Sequence, residues 1–382
     1  MLPLLYNQDT LDSEFGKNGL GFIRNCTKCI ATEERNSMYE LDLELLPNDR
    51  LAGGIAPGMF VKAKANPFDP PQIFEIYQMS ASDTLIKAKG QHFKYIANGS
   101  IVSETYASQI AKTPIEAWNA VQFLLEPKNI LEFYSDITTK GIVTAAKDYP
   151  VRLGDFLMGK KGSMLDVFGG EFHYDNFKIE LLESRGSFSG AAIRYGSNIS
   201  SYTQDSDIST VYTHLLPFAT VRSEYFENGR DAGNRTIYGD TIELNNNYLF
   251  YERALSYDFS DEFGGEDDKL IVYQRNESYQ NWAEMKAKLE QKAANYVNKN
   301  ESALTDVSVN ITVDVEDALN QLQNCRLCDT VRVYFEPLGY STTAKIIKTQ
   351  YDSLQEKYCK IELGKMKKTI ADLFDGKNIG GV

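Results

Sequence analysis

The side chains that could do chemistry are few and scattered. Five cysteines fall as Cys26-x2-Cys29, Cys325-x2-Cys328 and Cys359. Two such pairs, if folding brought them together, would supply the four thiolates of a structural zinc site. Nearly three hundred residues separate them, however, and neither lies in a Gly-rich knuckle. They are therefore read as buried thiols packing as small apolar groups. An odd count at this density also differs from the disulfide framework of a small secreted domain. The histidines, His92, His173 and His214, fall on expected strands with no G-x-S-x-G or comparable nucleophile motif. His92, in Gln91-His92-Phe93-Lys94-Tyr95, is expected to be structural. The run Asp258 to Asp268 carries six acidic residues in eleven, but their order does not follow a calcium-binding loop, and a solvated acidic loop is expected. Gly159-Lys160-Lys161-Gly162 lacks the spacing and the Lys-Ser/Thr ending of a phosphate loop. No residue is assigned as catalytic, cofactor-binding or metal-ligating, and no cofactor is expected.

With 382 residues the chain exceeds one comfortable core, and two to four domains are expected. Twenty-three tyrosines and twenty phenylalanines favour a β-rich protein, because aromatics pack well on pleated surfaces. A formal net charge of -13 argues against a nucleic-acid-binding groove, which needs clustered Lys and Arg. That charge suits ordinary solubility, or a conduit through which DNA passes without sticking. No N-terminal segment combines a basic flank, an apolar run and a cleavage site, and no apolar run is long enough to cross a bilayer, so a protein made in the cytosol is expected.

The elements that must position these residues are mostly strands. Tyr39, Leu41, Leu43 and Leu45 alternate with Glu40, Asp42 and Glu44, the period of a strand with one buried face. Strands are also expected from Met59 and over Ile73 to Met79. Thr113-Pro114-Ile115-Glu116 is a capping box with proline at the first helical position. It opens a helix that presents Trp118, Val121 and Leu125 on one face and stops at Pro127. A second helix is expected from near Val151 toward Met158. A short helix, Ser163 to Phe168, is stopped by Gly169-Gly170 and followed by a hairpin. Its strands place Phe172 and Tyr174 opposite Phe177, Ile179 and Leu181, around a turn at Asp175-Asn176. Ile193 and Tyr195 resume a strand before a turn at Gly196-Ser197-Asn198. Strands follow between Ser209 and Ser256, then a helix with Trp282, Met285, Leu289, Ala293 and Tyr296 on one stripe. Val307, Val309, Ile311, Val313 and Val315 alternate with polar residues, and further strands are expected from Leu327 and over Thr342 to Tyr351. Residues 39 to 79 and 307 to 349 thus share an order of strands with negligible identity, which suggests a repeat.

Between Gly159 and Phe218 the motifs S-x-L-D-V-x-G-G-E-F-x-Y-D-N-F, L-L-x-S-R-G, I-R-Y-G-x-N-I and D-x-S-x-V-Y-T-H-L-L-P-F occur in order. The stretch resembles the siphophage and prophage tail endopeptidase family, also called tail-associated lysins or baseplate hub proteins. GMFVKAK, PQIFEIY, GQHFKY and the C-terminal LGYSTTAKIIKTQYDSLQEKYCKIELG extend the likeness along the chain. In that family a Leu-Gly-Asp-Thr-Val pattern is common, and Cys328 stands here where the glycine would be. The resemblance implies an α+β, β-rich fold: a multidomain tail hub with two related β-barrel-like domains plus α+β domains. The expected boundaries are 1–100 for the first barrel, 101–195 for an α+β domain, 196–300 for a β-rich insertion ending in a helix, and 301–382 for the second barrel and a tail. It further implies a homotrimer at the virion tail tip, assembled after synthesis in the host cytoplasm. Such a hub contacts a distal tail protein, with tape measure and receptor-binding proteins as further partners, and genomic DNA passes through its lumen without specific binding. The family's lytic activity resides in a separate domain C-terminal to this region, which is not expected in this chain, so a structural role is expected. The alternatives are a peptidoglycan endopeptidase and a cell-wall carbohydrate binder using exposed tyrosines.

Overall fold

The computed structural model describes residues 1–382 except 104–105, 107–109, 195–198, 208, 210, 246–250, 266, 274–277, 306–307, 316–321, 336–339 and 365–382. The expected turn at Gly196-Ser197-Asn198, Glu266 of the acidic run and the C-terminal tail lie outside the described residues. So do the side chains of the alternating strand 307–315. The chain divides into two compact units, Met1–Gln204 with Asn310–Val382, and Asp205–Val309.

In the larger unit the first strands are β1 (Leu4–Tyr6), β2 (Cys26–Glu34), β3 (Tyr39–Leu45), β4 (Phe60–Ala63), β5 (Gln72–Ala81) and β6 (Ile86–His92). As expected, Tyr39, Leu41, Leu43 and Leu45 are buried while the acids between them are only half-buried. The strands lie in the order β2-β3-β6-β5-β4-β1. Next, α1 (Pro114–Val121) starts at the expected capping box, with the Thr113 hydroxyl accepting from Glu116 N and the Glu116 carboxylate accepting from Thr113 N. The helix ends four residues earlier than its apolar stripe suggested. Leu125 is buried, but on the short strand Leu125–Glu126, because an inward-facing residue fits either period. After β7 (Glu132–Ser135) come α2 (Leu153–Leu157) and α3 (Met164–Phe168), the latter capped by Ser163 and ended by Gly169 at φ +68°. The hairpin β8 (Glu171–Asp175) and β9 (Lys178–Leu182) pairs Phe172 with Leu181 and Tyr174 with Ile179, as the spacing implied.

The remaining strands of this unit are β10 (Phe188–Arg194), β11 (Ile199–Asp207) and, after the second unit, β16 (Ser308–Val315), β17 (Thr330–Phe335), β18 (Tyr340–Asp352) and β19 (Lys357–Gly364). Their order is β11-β16-β19-β18-β17-β10. Position by position this is the order of the first six strands. One exception is direction, since β10 runs parallel to β17 whereas β1 runs antiparallel to β4. The chain therefore contains two copies of one strand arrangement, the repeat that the spacing suggested. Pairing of β18 with β2, from Lys348↔Glu34 to Asp352↔Ile30, joins both copies, with the short strand Gly21–Phe22 beside β1, into one 13-stranded sheet. The turn Arg35–Met38 links β2 to β3 in the first copy, and the whole second unit occupies the corresponding link in the second.

That inserted unit is built on β12 (His214–Tyr225), flanked on one side by β13 (Asp231–Tyr238), antiparallel. β14 (Ala254–Asp258) and β15 (Lys269–Tyr273) pair in parallel with successive parts of β12. Met285, Leu289 and Ala293 of α4 (Trp282–Thr305) are buried against Leu215, Ala219, Val221 and Ile237. The methionine and aromatic stripe is core, as its spacing indicated. The acidic run is matched from the same helix: Lys288 pairs with Asp268, and Lys292 lies 3.4 Å from Glu262.

One close approach holds the second copy of the strand arrangement in register. Cys328 has φ +74°, the left-handed conformation that a glycine would adopt freely. The next residue, Asp329, accepts from Ser187 N (2.8 Å) and Arg326 N (2.7 Å), tying this turn to the loop before β10. A Cβ on Gly186 would lie 2.1 Å from the Cys328 carbonyl carbon and oxygen, and backbone cannot swing away as a side chain can. Chemical denaturation should show Gly186→Ala destabilising the protein by about 3 kcal/mol, the overpacking range. Gly53→Ala, with nothing within 4 Å of the added carbon, should stay within about 0.5 kcal/mol of the parent. Equal effects at the two positions would refute the close-approach argument.

Candidate functional site

Where the hairpin β8–β9 meets both copies of the strand arrangement, charged side chains gather around a cavity of about 210 Å³. The loop after β4 contributes Asp69. Asn66 shapes that loop: its Oδ1 accepts from Phe68 N (2.9 Å) and Asp69 N (2.7 Å), and its Nδ2 donates to Asp69 Oδ2 (2.8 Å). The hairpin contributes His173 and Glu180, which face each other across the strand pair. The loop after β9 contributes Arg185, and β2 contributes Glu33. Thr349 of β18, Tyr358 of β19 and Arg326, whose guanidinium lies 4.5 Å from the Phe68 ring centre, complete the wall from the other side.

His173 Nδ1 is 2.6 Å from Glu180 Oε2 and its Nε2 is 3.2 Å from Asp69 Oδ2. Ionised carboxylates only accept hydrogen bonds, so both contacts are made together when both ring nitrogens carry protons. The surroundings favour that state. Burial lowers the basicity of His173, but the Asp69 bond and charge and the Glu180 bond outweigh it, and the pKa rises above 6.5. Burial likewise pushes the Asp69 carboxyl up, yet the His173 bond and charge, Asn66 and Arg185 pull it down to about 2.

Arg185 lies deep among these groups, with its side chain 10% exposed. Its Nη1 donates to Glu33 Oε1 at 2.6 Å, its backbone N–H donates to Glu171 Oε2 at 2.9 Å, and Glu171 in turn pairs with Lys345 at 2.6 Å and Arg35 at 3.4 Å. Burial works against the guanidinium's charge, but the Glu33 charge and bond more than compensate. One residue, through its guanidinium and its backbone N–H, thus joins β2, the hairpin and, by way of Glu171, β18.

The residues singled out from sequence do not converge. His92 is fully buried, stacks on Tyr39 at 4.3 Å, and has both nitrogens engaged, by Gln72 (2.9 Å) and Lys94 N (3.0 Å). That is the structural role expected of it. His214 Nδ1 meets the Thr213 hydroxyl at 2.8 Å in the other unit. Cys29 contacts Cys26 and Ser353, Cys325 contacts Ser189, and Cys328 contacts Glu171. Burial, with the Glu171 charge, pushes the Cys328 thiol up to about 12. Among the described residues no three His, Cys, Asp or Glu side chains converge as a metal would need. Single-sequence reasoning missed the network of Glu33, Asp69, Glu180 and Arg185, whose members lie far apart along the chain. The available signal was in the motifs, since Glu171 belongs to G-G-E-F and Arg185 to L-L-x-S-R-G.

Residues 188–374 match the prophage endopeptidase tail family. The match begins inside the stretch whose motifs carried the resemblance. Three solved tail proteins share the chain's fold over nearly their whole lengths. The prophage tail protein gp18 from Listeria monocytogenes EGD-e is 15% identical with a TM-score of 0.54, covering 98% of both chains. The 43 kDa tail protein of prophage MuSo2 from Shewanella oneidensis is 11% identical with a TM-score of 0.51, covering 95% of this chain and 98% of its own. The tail protein from Neisseria meningitidis MC58 is 9% identical with a TM-score of 0.50, covering 96% of each. At such identities the likeness speaks for the fold. No curated protein sequence matches the chain.

The charge network predicts a pH signature. With its folded pKa raised above an unfolded value of 6.5, His173 contributes stability that is complete below that value and lost as pH rises through the folded pKa. Asp69 behaves oppositely, its contribution being present above 3.8 and lost as pH falls through about 2. Denaturation midpoints of the parent and His173→Gln should therefore differ most near pH 5 to 6 and approach each other above pH 8. Arg185→Met, which strands the Glu33 carboxylate, should cost about 3 to 5 kcal/mol at neutral pH. A pH-independent gap for His173→Gln, or a mild Arg185→Met, would contradict the network.

Proposed function

We propose that this protein is a phage tail protein, a structural hub at the virion tail tip. Three copies would surround one axis, with the two copies of the strand arrangement alternating to present six similar elements to a sixfold tail tube. The duplication carries the reading: a threefold ring of chains that each hold two similar modules gives near-sixfold symmetry. Such a hub would join the distal tail protein on one side to receptor-binding or lytic parts on the other, with the tape measure protein and genomic DNA passing along its lumen.

The cavity's chemistry also favours a structural role. Both imidazole nitrogens of His173 face carboxylates, which leaves neither to take a proton from a nucleophile. The Cys328 thiol is pushed up to about 12 by burial and the Glu171 charge, away from the thiolate a cysteine nucleophile needs.

Solution mass measurement should find three chains per particle, alone or once the distal tail protein is added. A structure of the assembled tip should place residues 39–79 and 307–349 at equivalent stations around the channel. Non-equivalent stations would sink the proposal. The family's description also contains the word endopeptidase, which keeps a cell-wall-cleaving reading worth testing. Zymography against Gram-positive walls should show no clearing, and a clearing zone lost in His173→Gln would overturn the structural reading.

A further inference from the structure

Cys26 and Cys29 are three residues apart on β2, a separation that places side chains on opposite faces of a regular strand. Here a β-bulge at Thr27 changes the count. Cys26 pairs with Leu45 and Cys29 with Leu43, while the register shifts between Cys26 and Lys28. Leu43 and Leu45 both point into the core, so the bulge turns both thiols to the same inward face. Their Cα atoms are then separated by two strand steps, about 7 Å, the upper end of what a disulfide spans. The two thiols lie close enough to shift the ionisation of Cys29, and Cys26 donates to Lys28 O at 3.2 Å.

We propose that Cys26 and Cys29 form a redox-active dithiol that closes to an intramolecular disulfide when the protein meets a small-molecule disulfide such as oxidised glutathione. Cys26 is only half-buried and attacks first, whereas Cys29 is fully buried and resolves. The Cys26 thiolate breaks the glutathione disulfide, forming a mixed disulfide and releasing one glutathione. Cys29 then attacks Cys26 Sγ, its proton passing to the departing glutathione sulfur, and the second glutathione is released. The protein loses two electrons and two protons, and one oxidised glutathione becomes two reduced ones. Ser353 N donates to Cys29 O at 2.8 Å in the turn after β18, so the bond forms beside the seam that joins the two strand copies. A thiol pair reduced in the cytosol and oxidised on a released particle matches the compartments in which such bonds survive. The disulfide itself stands on the geometry of β2, independently of the hub reading.

The test exposes the full native chain to oxidised glutathione at pH 8, followed by acid quench, alkylation in denaturant and tryptic mass mapping. Cleavage after Arg24, Lys28 and Arg35 separates the two cysteines. The expected result is loss of two of the five free thiols and a disulfide-linked pair of the peptides Asn25–Lys28 and Cys29–Arg35, absent after reduction and absent in Cys26→Ser. Recovery of both peptides alkylated, a terminal glutathione adduct on Cys26, or a linkage involving Cys325, Cys328 or Cys359 would each overturn the proposal.

Discussion

The larger unit depends on one buried cation. Arg185 sits where three pieces of chain meet that are remote in sequence: β2, the hairpin β8–β9 and the strands after the insertion. Its side chain pairs with Glu33 on β2, and its backbone binds Glu171, which reaches across to Lys345 on β18. Taking such charges out of water costs several kcal/mol per ion unless every donor and acceptor finds a partner. A junction of this kind is unforgiving, because displacement of any of the three pieces strands a charge on the others. Apolar packing tolerates sliding, whereas short charge-assisted bonds fix distance and direction. The network therefore specifies how the pieces dock more than it adds to their stability.

His173 extends the same logic toward the loop after β4. Its two partners come from different parts of the chain, Glu180 from the facing strand and Asp69 from a loop shaped by Asn66. Together with Arg326 stacked over Phe68, these groups line a partly open cavity walled largely by paired charges and aromatic surface. The arrangement resembles a solvated seam between rigid parts more than a reaction chamber.

Much of the local structure was legible because it rests on local rules. The strand Tyr39–Leu45, the Thr113–Glu116 capping box, the hairpin around Asn176 and the stripe of α4 each follow from period, capping or turn chemistry over fewer than twenty residues. Where two rules overlapped, the reading slipped, as at Leu125, which is apolar and inward in either period but lies on a strand. The cavity was illegible for a different reason. Glu33, Asp69, His173 and Arg185 are ordinary surface-type residues, and only the pairing of β2 with β18 and the docking of the hairpin bring them together. The repeated strand arrangement lies between these extremes, being invisible in residue identity yet plain in the order in which strands pair.

The seam between β2 and β18 also orders events in time. As the chain emerges during synthesis, β1 to β6 can pair among themselves through short loops, the cheapest closures available. One edge of that early sheet, β2, must then stay unpaired until β18 appears, since Glu34 waits for Lys348. The insertion between β11 and β16 lengthens the wait. A nascent chain thus carries a nine-residue strand with an open edge through most of its synthesis, a template for any other strand that meets it. Lys28 and Glu34, exposed or half-exposed along that edge, are the kind of charged side chains that discourage such encounters.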